Sequence, residues 1–319
     1  MKSLYQSGNP EYWTGRVDGA EESLRRWHQE VRCVDLDEAQ ELKNAVVLLG
    51  FCCDEGVRRN QGRVGAKNGP TQFRKVLAGL PVHFSSQIQL LDGGDVYCHE
   101  TDLEGAQQRL ADLVAKIRQQ GGFPLLLGGG HEITYGHFKG LHTGNNSIGI
   151  INIDAHLDIR PLKDGVGNSG TGFYQIADDL SREGKPFHYL ALGIQDISNT
   201  KSLLAYAESK GATIIKAEDV HAGNLQEITA AVQNFADRVD QVYLTIDLDA
   251  FAAPYAPGVS ALAFNGIVPD ATFQRIFQGI INLPNLVSMD VAELNPVYDI
   301  DQRTTKLGSD LIFKFLQKF

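Results

Sequence analysis

The chain has 319 residues, with 29 Lys plus Arg against 39 Asp plus Glu and a formal charge of −10. Because 43% of its residues are hydrophobic and 21% charged, it is not a disordered chain, whose low hydrophobicity fails to offset the entropy of ordering. The acidic balance argues against a general nucleic-acid binder, which needs Lys and Arg to displace counterions from phosphates.

The first thirteen residues lack the apolar region of a secretory signal, and no apolar run approaches the ~20 residues needed to span a bilayer. A soluble, cytoplasmic protein with no membrane partner is expected. Short apolar, β-branched runs predict strands at Ala45–Phe51, Ile88–Leu91, Pro124–Leu127, Ile148–Ile153, His188–Gly193, Thr213–Lys216, Val242–Ile246 and Leu286–Val291. Between them, helical patterns fall near residues 70–80, 104–120, 132–142, 173–183, 200–210, 224–238 and 269–282, with a last helix over 308–318. This alternation predicts a mainly parallel sheet of about eight strands with helices on both faces. No linker, repeat or low-complexity tract interrupts residues 1–319, so one domain is expected. The cysteines Cys33, Cys52, Cys53 and Cys98 form no CxxC pair and read as free thiols. Two irregular segments, Ile159–Thr171 and Ala250–Val268, follow strand ends, where open α/β sheets bind ligands.

Three strand ends deliver clusters of metal-capable side chains: Gly128-Gly-Gly-His131-Glu132, Asp154-Ala-His156-Leu-Asp158 and Asp247-Leu-Asp249. Residues i and i+2 of an extended strand point the same way, which pairs Asp154 with His156 and Asp247 with Asp249; Asp158 continues that face. Glu132 is set aside as the start of a helix, and His137 and His142 as ordinary residues of that helix. Four carboxylates gathered together repel one another unless cations neutralise them. A nitrogen and oxygen donor set without cysteine suits Mn²⁺ or a similar ion, and two metals about 3.5–4 Å apart use all six ligands. A phosphate-binding reading of Gly128–Gly130 fails, since the pattern is neither GxGxxG nor GxxxxGK[ST].

These motifs resemble those of the arginase/agmatinase/formiminoglutamase family, the ureohydrolases. The likeness runs from Gly65, Ala66, Gly69 and Pro70 to Glu293 and rests on GGGHE, DAHLD, DLDAF and MDVAELNP. It implies a three-layer α/β/α sandwich, two Mn²⁺ per subunit, a homo-oligomer, and hydrolysis of a C–N bond at an amidine or guanidine carbon by hydroxide held between the ions. It further implies that His131, Asp154, Asp158 and Asp247 hold one ion and Asp154, His156, Asp247 and Asp249 the other. Glu293 is then the carboxylate that faces the substrate's cationic group, and Asp158 doubles as a proton shuttle to the leaving amine.

Two departures point within the family. Ser169 stands where arginases and agmatinases carry a histidine, and Arg160 follows DAHLD where arginase has a neutral asparagine. An arginine there can hold an anionic substrate tail bidentately, and Arg58, Arg59, Arg63 and Lys67 add a basic patch. These features, with the YWTGRVD and GVRRNQGR stretches, resemble the formiminoglutamase branch. The branch implies a small-molecule substrate with carboxylates, N-formimidoyl-L-glutamate, cleaved to L-glutamate and formamide in histidine degradation. A urea-releasing agmatinase-like or guanidino-acid hydrolase and an inactive metal-binding subunit remain as alternatives.

Overall fold

Each of the eight apolar runs forms a strand in the computed structural model, which describes residues 3–319. Strands β1 (Tyr5–Gln6), β2 (Arg32–Cys33), β3 (Ala45–Cys52), β4 (Gln89–Tyr97), β5 (Phe123–Leu127), β6 (Ile148–Ile153), β7 (His188–Ile194), β8 (Thr213–Lys216), β9 (Gln241–Asp247) and β10 (Leu286–Ala292) make one sheet. Its order is β1-β4-β3-β5-β10-β9-β6-β7-β8, with β2 also on β4. Among the described residues the sheet thus has ten strands rather than about eight. The additional pair, β1 and β2, are two-residue edge strands, too short to show periodicity, and β1 is the antiparallel member.

Ten helices accompany the sheet among the described residues: α1 (Trp27–Glu30), α2 (Glu55–Arg59), α3 (Gly69–Leu77), α4 (Leu103–Gln119), α5 (Ile133–Leu141), α6 (Gly172–Arg182), α7 (Lys201–Ser209), α8 (Leu225–Ala236), α9 (Ala271–Ile281) and α10 (Arg303–Leu316). Alternation within each strand divides the core. Val46, Leu48, Leu125, Ile151, Leu244 and Val291 face α3, α8, α9 and α10, through residues such as Phe73, Val232, Phe277 and Phe315. Val47, Leu49, Leu126, Ile150, Tyr243 and Ala292 face α4 to α7, through Leu110, Val114, Phe138, Phe173 and Ile176. Every residue of β3 and β6 is buried, as expected for parallel strands covered on both sides. The result is the α/β/α sandwich.

Candidate metal centre

Four adjacent strands, in the order β5-β10-β9-β6, end at the same rim and carry the site. The turn after β5 supplies His131, β10 is followed by Glu293, Asp247 ends β9 with Asp249 just beyond, and Asp154, His156 and Asp158 follow β6. Backbone bonds tie the first two loops together: Gly128 N–H donates to Val291 O and Glu293 N–H to Gly129 O, both at 2.8 Å. Gly129 has no room for a side chain, because a Cβ there would lie 2.7 Å from Phe51 O and closer still to Cys53 O. Asp158 and Glu293 have φ of 44° and 67°, a left-handed backbone that non-glycine residues adopt at a cost and that concentrates at functional sites.

The ligand atoms fall into two groups, each close enough to surround one ion: His131, Asp154, Asp158 and Asp247, and Asp154, His156 and Asp249. His131 Nδ1 lies 2.8 Å from Asp158 Oδ2, 3.2 Å from Asp154 Oδ2 and 3.3 Å from Asp247 Oδ2. His156 Nδ1 lies 3.0 Å from Asp249 Oδ2 and 3.6 Å from Asp154 Oδ1. Asp154 belongs to both groups. Asp247 stands with the first, its Oδ1 accepting the Asp249 N–H at 2.8 Å. One proton on His131 Nδ1 can serve only one of three carboxylate oxygens, whereas a divalent cation serves them all. Asp249 Oδ1 is buried without a partner, a further acceptor suited to a cation. The residues present therefore fit a metal centre.

Titration reflects the crowding. Burial lowers the His131 pKa, but hydrogen bonds to Asp154 and Asp158 and the charge of Asp247 outweigh it and raise it well above the usual imidazole value. The charge of Asp249 pushes His156 up to about 12 despite desolvation. Burial, opposed by His156, raises Asp249 to about 6, and burial raises Glu293 to about 7. Glu293 Oε1 accepts the His131 N–H at 2.7 Å, while Oε2 is buried and unpartnered.

Above these candidate ligands opens a cavity of about 340 Å³ lined by His156, Asp158, Asp247, Asp249 and Glu293 on its floor and by Asn60, Gln61, Arg63, Arg160, Ser169 and Ser260 on its walls. Both irregular segments contribute, Arg160 and Ser169 from one and Ser260 from the other. Ser169 Oγ accepts from Asn60 Nδ2 at 3.0 Å. The expected basic patch divides: Arg58 and Arg59 pair with Glu55, Arg59 also with Glu104, and Lys67 points toward Asp54, whereas Arg63 lines the cavity, as does Arg160.

Several functional neighbours were not foreseen. Glu132 occupies the N-cap position of α5 without capping it; its Oε1 instead accepts the Gly56 N–H at 2.9 Å, and burial raises its pKa to about 8. His137 is no ordinary helix residue, since its Nδ1 meets Asp290 Oδ2 and its Nε2 meets Ser288 Oγ, both at 2.6 Å in the core. Thr245 Oγ1 donates to Asp290 Oδ1 at 2.6 Å and faces His131 Nε2 at 3.0 Å. The available signal was polar residues at period two, Thr245 before Asp247 and Ser288 before Asp290, in otherwise apolar buried strands.

An α/β/α sandwich with an imidazole–carboxylate cluster at its strand ends defines an α/β protein with a candidate metal centre. The arginase family model matches residues 44–317. Formimidoylglutamase of Chromobacterium violaceum is 44% identical over 302 residues, covering 94% of this chain and 95% of that protein. Formimidoylglutamase of Geobacillus thermodenitrificans is 40% identical, with 99% and 98% covered. Trypanosoma cruzi formiminoglutamase, crystallised with Mn²⁺, superposes with a TM-score of 0.75 at 27% identity, with 88% and 96% covered. The chain belongs to the arginase family and is one of its hydrolases.

Proposed function

We propose that this chain hydrolyses N-formimidoyl-L-glutamate to L-glutamate and formamide, with two Mn²⁺ bound at the strand ends. The observation that carries the reading is one cavity joining an imidazole–carboxylate floor to the Arg160 guanidinium, which has no acidic partner within 4.0 Å among the described residues. The names and similarity of the curated relatives support it, as does the Mn²⁺ in the T. cruzi crystal.

His131, Asp154, Asp158 and Asp247 would hold one ion and Asp154, His156, Asp247 and Asp249 the other. Such ions supply Lewis acidity, lowering the pKa of water so that hydroxide is available near neutral pH. Glu293 offers its unpartnered Oε2 to the cationic formimidoyl group and holds that carbon over the floor. Asp158, on the cavity floor and only partly buried, carries a proton to the departing glutamate nitrogen. Arg160 binds a substrate carboxylate, and Ser169 leaves room beside it where arginases carry a histidine. The same reading makes residues 1–319 one domain of a homo-oligomer.

The test is turnover by Mn²⁺-reconstituted protein on N-formimidoyl-L-glutamate, 4-guanidinobutyrate, arginine and agmatine. Glutamate and formamide are expected from the first and no urea from the others. Urea from any of the three, with the first inert, overturns the reading.

A further inference from the structure

Four cationic side chains lie in α2 or in the segment that follows it, and their surroundings separate them. Arg58 is committed to Glu55 at 2.6 Å, Arg59 to Glu55 and Glu104 at 2.9 and 2.6 Å, and Lys67 points toward Asp54 at 4.0 Å. Among the described residues, Arg63 has no carboxylate within 4.0 Å, a property it shares with Arg160, and both line the cavity.

Arg63 is also held still. Its backbone N–H donates to Ser260 O at 3.2 Å, and Asn295 Nδ2 donates to its carbonyl at 2.8 Å. Its Nη2 donates to Val259 O at 2.5 Å and Pro257 O at 3.4 Å, while the guanidinium sits 4.2 Å from the centroid of the Tyr298 ring. These contacts come from the segments after β9 and β10, so the elements that present Asp249 and Glu293 also orient Arg63. They use only Nη2; Nε and Nη1 donate to no protein atom among the described residues. Stacking on an aromatic face and two carbonyl acceptors reduce the rotamer entropy that a free arginine loses on binding. Arg160 reaches the cavity from a different wall, its N–H donating to Gly170 O at 2.9 Å in the segment after β6.

We infer that Arg63 is a specificity-determining residue, forming with Arg160 a two-cation clasp for the two carboxylates of one substrate. The inference rests on the proposed reaction and deepens it. The acidic floor, with Glu293, takes the cationic amidine end, and the two walls take the two anionic ends. Such a site selects an amidine with two carboxylates over one with a single carboxylate or none, because an analogue lacking a carboxylate leaves a positioned guanidinium without its partner. The same arrangement disfavours a substrate tail carrying a positive charge.

The experiment compares wild type, Arg63→Gln, Arg63→Lys and Arg160→Gln, all Mn²⁺-loaded, on three substrates. These are N-formimidoyl-L-glutamate, its analogue without the α-carboxylate (N-formimidoyl-4-aminobutyrate) and its analogue without the side-chain carboxylate (N-formimidoyl-2-aminobutyrate). Arg63→Gln is expected to lower kcat/KM for the full substrate by about 10- to 100-fold, mainly through KM. Its effect on one analogue, the one that has lost the carboxylate Arg63 serves, is at least about tenfold smaller, and Arg160→Gln shows the mirror pattern on the other. Arg63→Lys keeps the charge and the apolar stem and shows the same ordering with a smaller loss; it is read alone if Arg63→Gln does not fold. An equal fall on all three substrates would make Arg63 a strut for the loops after β9 and β10 and would overturn the inference while leaving the proposed reaction intact. A wild type inert toward all three sinks the proposed reaction and the inference with it.

Discussion

At His131 the two ring nitrogens face different chemistry. Nδ1 meets three carboxylates, so it must be free of a fixed proton when it ligates a cation; Nε2 faces Thr245 Oγ1 at 3.0 Å. Thr245 donates its hydroxyl hydrogen bond to Asp290 Oδ1, and Asp290 Oδ2 is engaged by Tyr243 OH and His137 Nδ1. With its hydroxyl proton so committed, Thr245 can only accept from His131, which fixes the tautomer with hydrogen on Nε2 and the lone pair on Nδ1. Thr245→Val removes the acceptor and is expected to weaken Mn²⁺ binding by about 10- to 100-fold. The metal-free fold should lose only about 1–3 kcal/mol, the cost of a buried Asp290 oxygen without its donor. Calorimetric Mn²⁺ titration beside a thermal melt reads both, and unchanged affinity in a folded variant would refute the tautomer argument. Four of the six candidate ligands, Asp154, His156, Asp247 and Asp249, stood out because i, i+2 spacing at a strand end is a local signal, and His131 and Asp158 follow strand ends at the same rim. Thr245, Asp290 and His137 did not, because each looks like an isolated polar residue until the sheet sets β9 beside β10 and α5 above them.

Elements show the same division between local and tertiary signals. Strand β4 is expected over Ile88–Leu91, yet it runs from Gln89 to Tyr97. The buried Arg74 guanidinium holds Asp92 at 2.8 Å and Asp95 at 2.6 Å, and the register slips opposite Leu48–Gly50 with Gly94 at φ 82°, so the segment is a bulge rather than a break. A distant arginine decides this, which no window of sequence around residue 92 contains. Helix α10 starts at Arg303 instead of near 308, since Asp299 accepts the Thr304 and Thr305 N–H groups at 2.8 and 2.9 Å. Short α2, not among the elements expected from sequence, is stabilised by Glu55 pairing with Arg58 and Arg59. The glycines separate site from scaffold. Gly129→Ala drives a methyl into the Phe51 and Cys53 carbonyls and should abolish metal binding or folding. Gly279→Ala, inside α9 with nothing within 4 Å of a new Cβ, should stabilise by about 0.5–1 kcal/mol. Chemical denaturation of the pair checks this, and a Gly129→Ala protein that melts and binds Mn²⁺ like wild type would remove the steric argument for the turn.

Across the molecule the buried charges make stability and metal binding depend on pH in opposite ways. Burial, reinforced by Glu293, raises Glu132 from 4.5 to about 8; burial raises Glu293 from 4.5 to about 7 and Asp249 from 3.8 to about 6. Each folded carboxyl therefore holds a proton that the unfolded chain has released, so its contribution is complete below the unfolded value and lost as pH rises through the folded one. His156, raised from 6.5 to about 12 chiefly by Asp249, has the same sign, its contribution present below 6.5 and lost toward 12. Asp154, whose pKa is lowered by His131 and His156 against its burial, has the opposite sign, but its contribution is complete above 3.8. All four raised groups thus predict that the Tm of chelator-treated protein falls by several degrees between about pH 5.5 and 8.5. Cations compete with the protons on Asp249 and His156, so their affinity rises over the same interval, and the Tm gap between Mn²⁺-loaded and metal-free protein widens. Thermal melts of both forms across that range decide it. A metal-free Tm that is flat or climbs would mean that the folded protein does not retain those protons, and that the electrostatic strain at the strand ends is relieved by some rearrangement of the cluster instead.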